Sequence, residues 1–378
     1  MTDKPLFIYG TLRHAPLYAA VAGEALAGTE ALLSDHVVAE AMGQGGRHLG
    51  FPLFTPRPGG EARGLLVRPG TEARARLDFY EVVFGYDPAP VRVQVGAENV
   101  EAVIYLPREG LWHPGPLWSL ADWAQDQGDL VTETAIEVMA LRGVASPQAV
   151  LERYGMLTAR VASRRRALAT PAPATLRRPA DPADVKIETL RRPYTWFFGV
   201  EESDLRFRHF DGRFSPVVTR AGFVMADAVT VLPYDPVRDA VMLVEQFRYG
   251  PHSRGEANAW SLEPVAGRID GLETPEAAAR REAMEEARLE LGALHRIASY
   301  YVSPGAVTEH ITSFVAIADL PGSAEGVSGL ETEAENIRAH VIPFSRLMDL
   351  IVTGEAANAP VLVSAQWLAL NRERLRRG

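Results

Sequence analysis

Three glutamates stand close together in the stretch "PVAGRIDGLETPEAAARREAMEEARLELG", which covers residues 264–292. On a helix that turns 100° per residue, the side chains of Glu282, Glu285 and Glu286 fall within about 100° of one another. Their like charges repel, and a cation would reverse that repulsion. Hard divalent ions such as Mg²⁺ bind carboxylate oxygens and keep open positions for phosphate. The stretch predicts either a solvated acidic helix, which the helix alone favours, or a site that holds metal against phosphate.

The elements that must position these glutamates can be placed from the sequence. Thr274 is the predicted N-cap, and Pro275 takes the first helical position, where its missing N–H costs nothing. Before this helix, "VVTRAGFVMADAVTVLPYDPVRDAVMLVEQFRYG" alternates aromatic and β-branched residues as strands do, with "YDPVRD" as a hairpin turn. The glutamate helix is therefore expected to follow a strand-rich region.

The first part of the chain has a different pattern. Strand-like runs such as "LFIYG", "ARGLLVRPG" and "VEAVIYLP" lie between Gly and Pro residues and indicate a small, mixed α+β, barrel-like unit. Later apolar residues recur at three- and four-residue spacing, as in helices, before the Ala- and Pro-rich "ATPAPATLRRPADPADV", which is typical of a semi-stiff linker. We predict four segments: a barrel-like domain over 1–115, a helical extension over 116–168, a linker over 169–185 and a second domain over 186–378.

Composition excludes several classes of function. The 378 residues exceed the usual size of one hydrophobic core, so two domains are expected. A net charge of −9 argues against a nucleic-acid partner, and the absence of cysteine excludes disulfides, thiolate metal sites and thiol catalysis. No apolar run approaches the ~18 residues of a membrane span, and the first residues do not resemble a signal peptide. We therefore expect no membrane partner and a cytoplasmic location.

The glutamate stretch resembles the Nudix box at every fixed position but one. From about residue 186 onward the chain looks like a Nudix hydrolase, which implies an α/β/α sandwich with a mixed sheet. Arg288 stands where the family has glycine; a left-handed arginine would cost about 1–2 kcal/mol, so we expect the helix to run on to Gly292 instead. The matching residues are Gly267, Glu273, Arg281, Glu282, Ala283, Glu285, Glu286 and Leu289.

The Nudix resemblance also implies a set of site residues. Two or three Mg²⁺ ions, with Mn²⁺ as an alternative, would be bound by Glu282, Glu286 and the carbonyl of Ala266. Glu285 would act in catalysis as a further or bridging ligand. Arg281 would orient the acidic face by ion pairing.

Features outside the box resemble the ADP-ribose pyrophosphatase group over about 190 residues. Pro304 lies at the fifteenth position after the box, and "VLPYDPVRDAVMLVEQFRYG", "ETEAENIRAHVIP" and "PVLVSAQWLALNRERLR" match in order and spacing. The resemblance implies cleavage of ADP-ribose, or a related ADP-sugar, to AMP and ribose 5-phosphate. In the acidic loop "GLETEAENIRAHVI" it makes Glu333 the general base and Glu335 a metal ligand, although Glu331 also lies within reach of such a loop.

The same group resemblance implies substrate contacts. Arg248 in "EQFRYG" would contact phosphate, and Glu309 in "SPGAVTEH" would lie near the terminal ribose. Arg220 and an aromatic side chain at Trp196 or Phe197 would bind adenine across a homodimer that exchanges its N-terminal sheet. The acidic residue that usually follows this arginine is replaced by alanine here, which makes adenine selectivity less secure.

The first domain resembles the γ-glutamylcyclotransferase-like fold. Its turn Tyr9, Gly10, Thr11 and Leu12 would offer backbone N–H groups to a small anion, and Glu81 would act as acid/base on a γ-glutamyl amine. Gly10 allows close backbone approach, and a buried carboxylate of raised pKa suits proton transfer. A purely structural role for this turn is about equally expected, since fold does not fix function.

The two domains in this order resemble bacterial Nudix proteins associated with tellurite resistance. The sequence predicts a Mg²⁺-dependent hydrolase of an ADP-sugar. Two alternatives stay open: a metabolite-binding sensor or scaffold without turnover, and an additional γ-glutamyl cyclotransferase activity in the first domain. The presence of every box glutamate favours turnover, because binding-only Nudix domains tend to lose them.

Overall fold

The computed structural model of the chain describes residues 4–43, 46, 48–108, 110–322, 327–328 and 336–377. It contains two compact units, Met1–Val161 and Ala162–Gly378. The division into four segments that the sequence suggests stays a prediction. In the described ranges, no helix is both long and apolar enough to cross a membrane.

The first unit is built around a closed barrel. Strands β1 to β5 close in the order β3-β1-β5-β4-β2, with β2 paired again to β3, and β6 extends β2. The pair β1 and β5 is parallel and the others are antiparallel, which confirms the predicted small mixed barrel. The strands are β1 Leu6–Ile8, β2 Gly28–Met42, β3 His48–Val67, β4 Tyr86–Val95, β5 Glu98–Pro107 and β6 His113–Leu117.

Strand β1 is buried on both of its faces. Phe7 packs in the barrel interior, whereas Leu6 and Ile8 pack against the helices, as the alternation of side chains along a strand requires. Gly64 on β3 lets the two strands approach, because a Cβ there would lie 2.5 Å from the Phe7 ring. Strand β1 is thus packed between the barrel interior and the helices.

Helices cover one side of this barrel and continue to the end of the unit. Residues 170–181 then form neither helix nor strand. The helices are α1 Ala15–Ala22, α2 Thr71–Val83, α3 Leu120–Trp123, α4 Asp129–Ala140, α5 Pro147–Leu151 and α6 Tyr154–Ala169, the last of which reaches into the second unit.

The second unit contains two sheets. One is a three-stranded antiparallel sheet, and the other is a mixed sheet in the order β14-β15-β10-β11-β17-β16, with β12 on β11 and β13 on β10. The small sheet consists of β7 Val185–Thr195, β8 Gly199–Phe207 and β9 Val218–Val224. The large sheet consists of β10 Ala228–Asp235, β11 Ala240–Phe247, β12 Trp260–Glu263, β13 Val265–Arg268, β14 Leu294–Tyr301, β15 His310–Ile317, β16 Val327–Ser328 and β17 Ile337–Pro343.

Helices lie on both faces of the large sheet. Val244 of β11 packs in one core cluster with Ala279 and Ala283, whereas Leu243 packs in another with Leu347 and Leu368. Alternate residues of one strand therefore face opposite helix layers, which confirms the predicted α/β/α sandwich. The helices are α7 Tyr249–Arg254, α8 Pro275–Ala287, α9 Phe344–Thr353 and α10 Ala359–Arg376.

Helix α8 begins as predicted and ends earlier than predicted. The Thr274 hydroxyl accepts a hydrogen bond from the Ala277 N–H at 3.2 Å. At the other end Arg288 is left-handed, with φ 51° and ψ 38°, so the expectation that the helix runs on to Gly292 is wrong. The reason is tertiary: the turn buries Leu289, and the Gly292 N–H is bound to the carbonyl of Ile317 at 2.8 Å.

This geometry predicts that Arg288→Gly stabilises the second unit. The left-handed backbone costs a non-glycine residue about 1–2 kcal/mol, and glycine's extra freedom in the unfolded chain offsets part of the gain. We expect urea denaturation to show a net increase of about 1 kcal/mol in the free energy of unfolding. Arg288→Ala is the matched control, since it removes the charge and keeps the Cβ. An equal gain in both variants would contradict the backbone explanation.

Candidate functional site

The last turns of α8 lie over strand β13. Glu286 is only 2% exposed and accepts a hydrogen bond from the Ala266 N–H at 3.1 Å. The Glu282 carboxylate lies over Gly267, where the Cβ of any other residue would overlap it. Val229 of β10 pairs with Gly267, which fixes β13 beneath the helix. The structure thus brings together Ala266, Glu282 and Glu286, three of the four positions that the sequence assigned to metal.

Arg281 is the centre of the ion pairs on this face. Its Nη1 lies 2.7 Å from Glu282 and 2.9 Å from Glu285, and its Nε lies 2.8 Å from Glu273. Its Nη2 donates to the carbonyl of Arg268 at 2.9 Å. Hydrogen bonding to Glu273 raises the pKa of Arg281 and lowers the pKa of Glu273. The arginine therefore joins loop, strand and helix and offsets the repulsion among the glutamates, as the sequence predicted.

The donor set on this face fits a hard divalent cation. Carboxylates of Glu282, Glu285 and Glu286 and the backbone of Ala266 supply oxygen atoms, the ligands that Mg²⁺ and Mn²⁺ prefer. The glycine at 267 leaves the space in which one of these carboxylates sits. Within the described part of the chain, no three His, Asp or Glu side chains converge on one metal position, and Arg281 contacts two of the glutamates.

A second charged cluster lies at the same edge of the sheet. Arg248, directly after β11, makes a two-point ion pair with Glu263 of β12, with N–O distances of 3.0 and 2.7 Å. Glu309 lies just before β15, and burial raises the pKa of its carboxyl, while Arg248 opposes that rise and Asp227 adds to it. The residues predicted to contact phosphate and the terminal ribose are therefore electrostatic neighbours.

The sequence patterns did not identify two residues that lie at this edge, Asp227 and Glu263. Asp227 is 8% exposed, accepts a hydrogen bond from the Ser163 hydroxyl and forms an ion pair with Arg166 at 2.7 Å. No motif contains it, and its partners are more than sixty residues away in the chain. Glu263 stands four residues before Gly267, the first fixed position of the box, and this short separation was the signal that could have indicated its role.

The remaining predicted residues of the second unit lie on the small sheet or outside the described residues. Arg220 is exposed on β9, where its Nη1 donates to the carbonyl of Thr219 at 2.9 Å. Trp196 and Phe197, 44% and 71% exposed, form the turn between β7 and β8. Gly199, the first residue after that turn, pairs with Val224 of β9, and Ser203 pairs with Arg220. Arg220 therefore lies four residues along β9 from the strand end that is beside the turn. Glu331, Glu333 and Glu335 lie outside the described residues.

In the first unit, the predicted anion turn follows β1 directly. The Tyr9 hydroxyl donates to the carbonyl of Tyr105 at 3.0 Å, and Leu12 is buried in the core. Gly10 is required sterically, because a Cβ there would lie 2.7 Å from Pro52 Cγ. Thr11 begins a single 3₁₀ turn and is half-buried.

Glu81 lies on α2 beside this turn. Burial raises the pKa of its carboxyl to about 8, and the charge of Asp78 adds to the rise. The charge of Glu81 in turn contributes to raising the pKa of Tyr9 and of Tyr86, after the effect of burial. The structure thus places Tyr9 and Glu81 in one electrostatic neighbourhood, away from an open surface.

Comparisons with known proteins match both units. Residues 225–363 match the NUDIX domain, and residues 6–125 match the family described as Gamma-glutamyl cyclotransferase, AIG2-like. The ADP-ribose pyrophosphatase of Escherichia coli (strain K12) is 37% identical over 51% of this chain and 91% of its own length. That of Haemophilus influenzae is 34% identical over 51% and 89%, and the GDP-mannose pyrophosphatase of Escherichia coli O1:K1 / APEC is 32% identical over 38% and 74%.

Proposed function

We propose that this chain, which belongs to the Nudix family, hydrolyses the diphosphate bond of ADP-ribose or a related ADP-sugar to AMP and ribose 5-phosphate. One observation carries the proposal: Glu282 and Glu286 are seated on the backbone of β13 at the edge that also holds Arg248. The relatives that cover this unit are named as pyrophosphatases of ADP-ribose and of GDP-mannose. Of these two nucleotide sugars, we propose the ADP compound as the substrate.

We further propose that the acidic face binds Mg²⁺, or Mn²⁺ in its place. Glu282, Glu286 and the carbonyl of Ala266 would hold it, and Glu335 would add a ligand from the acidic loop. When bound, a divalent cation would offset the negative charge that grows on the diphosphate oxygens during hydrolysis.

Other side chains of this unit have separate proposed roles in substrate binding and catalysis. Glu263 holds the guanidinium of Arg248 at the site, and the substrate phosphate would compete with that carboxylate for it. Arg281 fixes Glu285 on the acidic face at 2.9 Å. Glu333 is the proposed general base, which takes the proton of the attacking water. Glu309, whose pKa is raised by burial, would lie against the terminal ribose.

Glu286→Gln is expected to lower the rate of AMP release from ADP-ribose by about two orders of magnitude or more. The change keeps the shape of a buried side chain and removes the charge that a cation needs. The assay is AMP release by the purified full-length chain with Mg²⁺, with product identification across a panel of nucleoside-diphosphate compounds. Glu276→Gln, on the exposed first turn of the same helix, is the control and should keep full activity. Failure of the unmodified chain to hydrolyse any of these compounds would overturn the enzyme proposal.

The small sheet supports the proposal of a homodimer. A monomeric surface seldom exposes a wide apolar patch, and such patches often mark interfaces. Arg220 and Trp196 or Phe197, the residues that we propose bind adenine, lie on this sheet, and in such a dimer they would serve the partner's site. The exposed apolar side chains of its strands are Val185, Ile187, Leu190, Tyr194, Phe207 and Phe223.

In sedimentation equilibrium, we expect a molar mass of twice the 41.3 kDa of one chain. The Ile187→Lys variant should shift this molar mass towards that of the monomer. A lysine at this 60% exposed position would have to be desolvated if the sheet pairs. Val352→Lys, at an 85% exposed position on α9, is the matched control and should leave the mass unchanged. Sedimentation of the unmodified chain as a monomer would contradict the dimer.

A second activity is favoured by one observation in the first unit. A carboxyl with a pKa of about 8 can exchange a proton near neutral pH, and Glu81 is that group. We therefore propose γ-glutamyl cyclotransfer as an additional activity of this unit, with Tyr9, Gly10, Thr11 and Leu12 forming the anion turn. The tellurite-resistance association and the cytoplasmic location stay predictions from the sequence.

The test of this second activity is release of 5-oxoproline from a γ-glutamyl dipeptide. If ionised Glu81 is the base, the rate rises with pH up to about 8, because the ionised fraction grows until the pH passes the pKa. Glu81→Gln should abolish the release. Glu72→Gln, at the exposed start of the same helix, should not. A profile that is flat from pH 6 to pH 9 would rule out Glu81 as the titrating base.

A further inference from the structure

One buried amide beside the acidic face has no partner. Gln246 of β11 is 7% exposed, and its Nε2 makes no hydrogen bond in the described structure. Buried polar groups in native proteins nearly always have a partner, since an unsatisfied donor loses its water without compensation. The amide group of Gln246 therefore calls for a ligand or a bound water.

The position of Gln246 follows from the alternation of β11. Val244 packs against α8, so Gln246 and Arg248 lie on the same face as that helix, while Phe247 faces the other way and packs edge-on against Trp260 at 5.6 Å. Along this strand the amide thus stands between the α8 core and the arginine that we propose as the phosphate contact.

The ion pair of Arg248 spans the position of Gln246 on β11. Glu263 is the strand partner of Val244, two residues before Gln246, and Arg248 follows two residues after it. The bond between Arg248 and Glu263 must therefore run along β11 past the Gln246 position. A substrate phosphate that draws the guanidinium away from Glu263 would arrive next to the amide.

We propose that Gln246 is a further substrate-positioning residue, whose Nε2 donates a hydrogen bond to a diphosphate oxygen of the ADP-sugar. The inference rests on the proposed function and adds a contact that it does not include. An amide N–H is a suitable donor to a phosphate oxygen, and a donor that starts unpartnered gives up no protein hydrogen bond when the substrate arrives. Arg248 and Gln246 would then bind the diphosphate from one strand.

The test compares two substitutions of similar shape. Gln246→Met removes the N–H, and Gln246→Glu replaces the donor by a negative charge. We expect the dissociation constant for a non-hydrolysable methylene analogue of ADP-ribose, measured by calorimetry with Mg²⁺, to rise about tenfold in Gln246→Met and further in Gln246→Glu. The melting temperature of Gln246→Met should stay the same or rise, because an unsatisfied buried group is removed.

Ser364→Ala is the matched control. Ser364 is fully buried on α10, and its hydroxyl also lacks a partner in the described structure, but it lies on the other face of the sheet. This variant should keep both stability and affinity. Equal affinity of Gln246→Met and the unmodified chain would overturn the proposal and would assign the amide to a bound water. If the unmodified chain neither binds the analogue nor hydrolyses ADP-ribose, the proposed function itself fails.

Discussion

The guanidinium of Arg281 is the interaction on which the site of the second unit depends. Without it, three carboxylates on one helical face would repel one another, and Glu273 in the loop before the helix would lose its ion pair with α8. Its bond to the Arg268 carbonyl ties the same group to β13. One side chain thus sets both the charge and the geometry of the acidic face.

The large sheet determines which other groups meet that face. Ala228 of β10 pairs with Arg268 on one side and with Ile311 on the other, so the end of β13 and the start of β15 lie at the same edge. The segment just before β15 contributes Glu309, and the end of β11 contributes Arg248. The strand register therefore places four separate stretches of the chain at one edge: the start of β10, the end of β13, the segment before β15 and the end of β11. This arrangement is the structural basis for assigning a diphosphate substrate to the edge.

Local features of the sequence predicted local structure well. The Thr274 cap, the start of α8 and the shared face of its glutamates all follow from spacing within one turn or two. The end of α8 could not be predicted in this way. Burial of Leu289 and the bond from Gly292 to Ile317 decide it, and both depend on the finished sheet.

The same distinction holds for individual side chains. The sequence missed Asp227, whose partners Ser163 and Arg166 lie on a distant helix. It named Glu81, but the raised pKa of that carboxyl depends on burial beside the barrel. The box spacing identified Gly267 as a fixed position, but only the packing of Glu282 against it gives the physical reason.

The proposed metal site depends on the seating of Glu282 over Gly267. Binding of Mn²⁺ to the full-length chain, followed by electron paramagnetic resonance, measures whether that seating matters. Gly267→Ala should weaken Mn²⁺ binding by about tenfold or more, because the new Cβ displaces the carboxylate. Gly250→Ala, where a Cβ meets open space, should leave binding unchanged. Equal Mn²⁺ affinity in Gly267→Ala and the unmodified chain would contradict the proposed metal site.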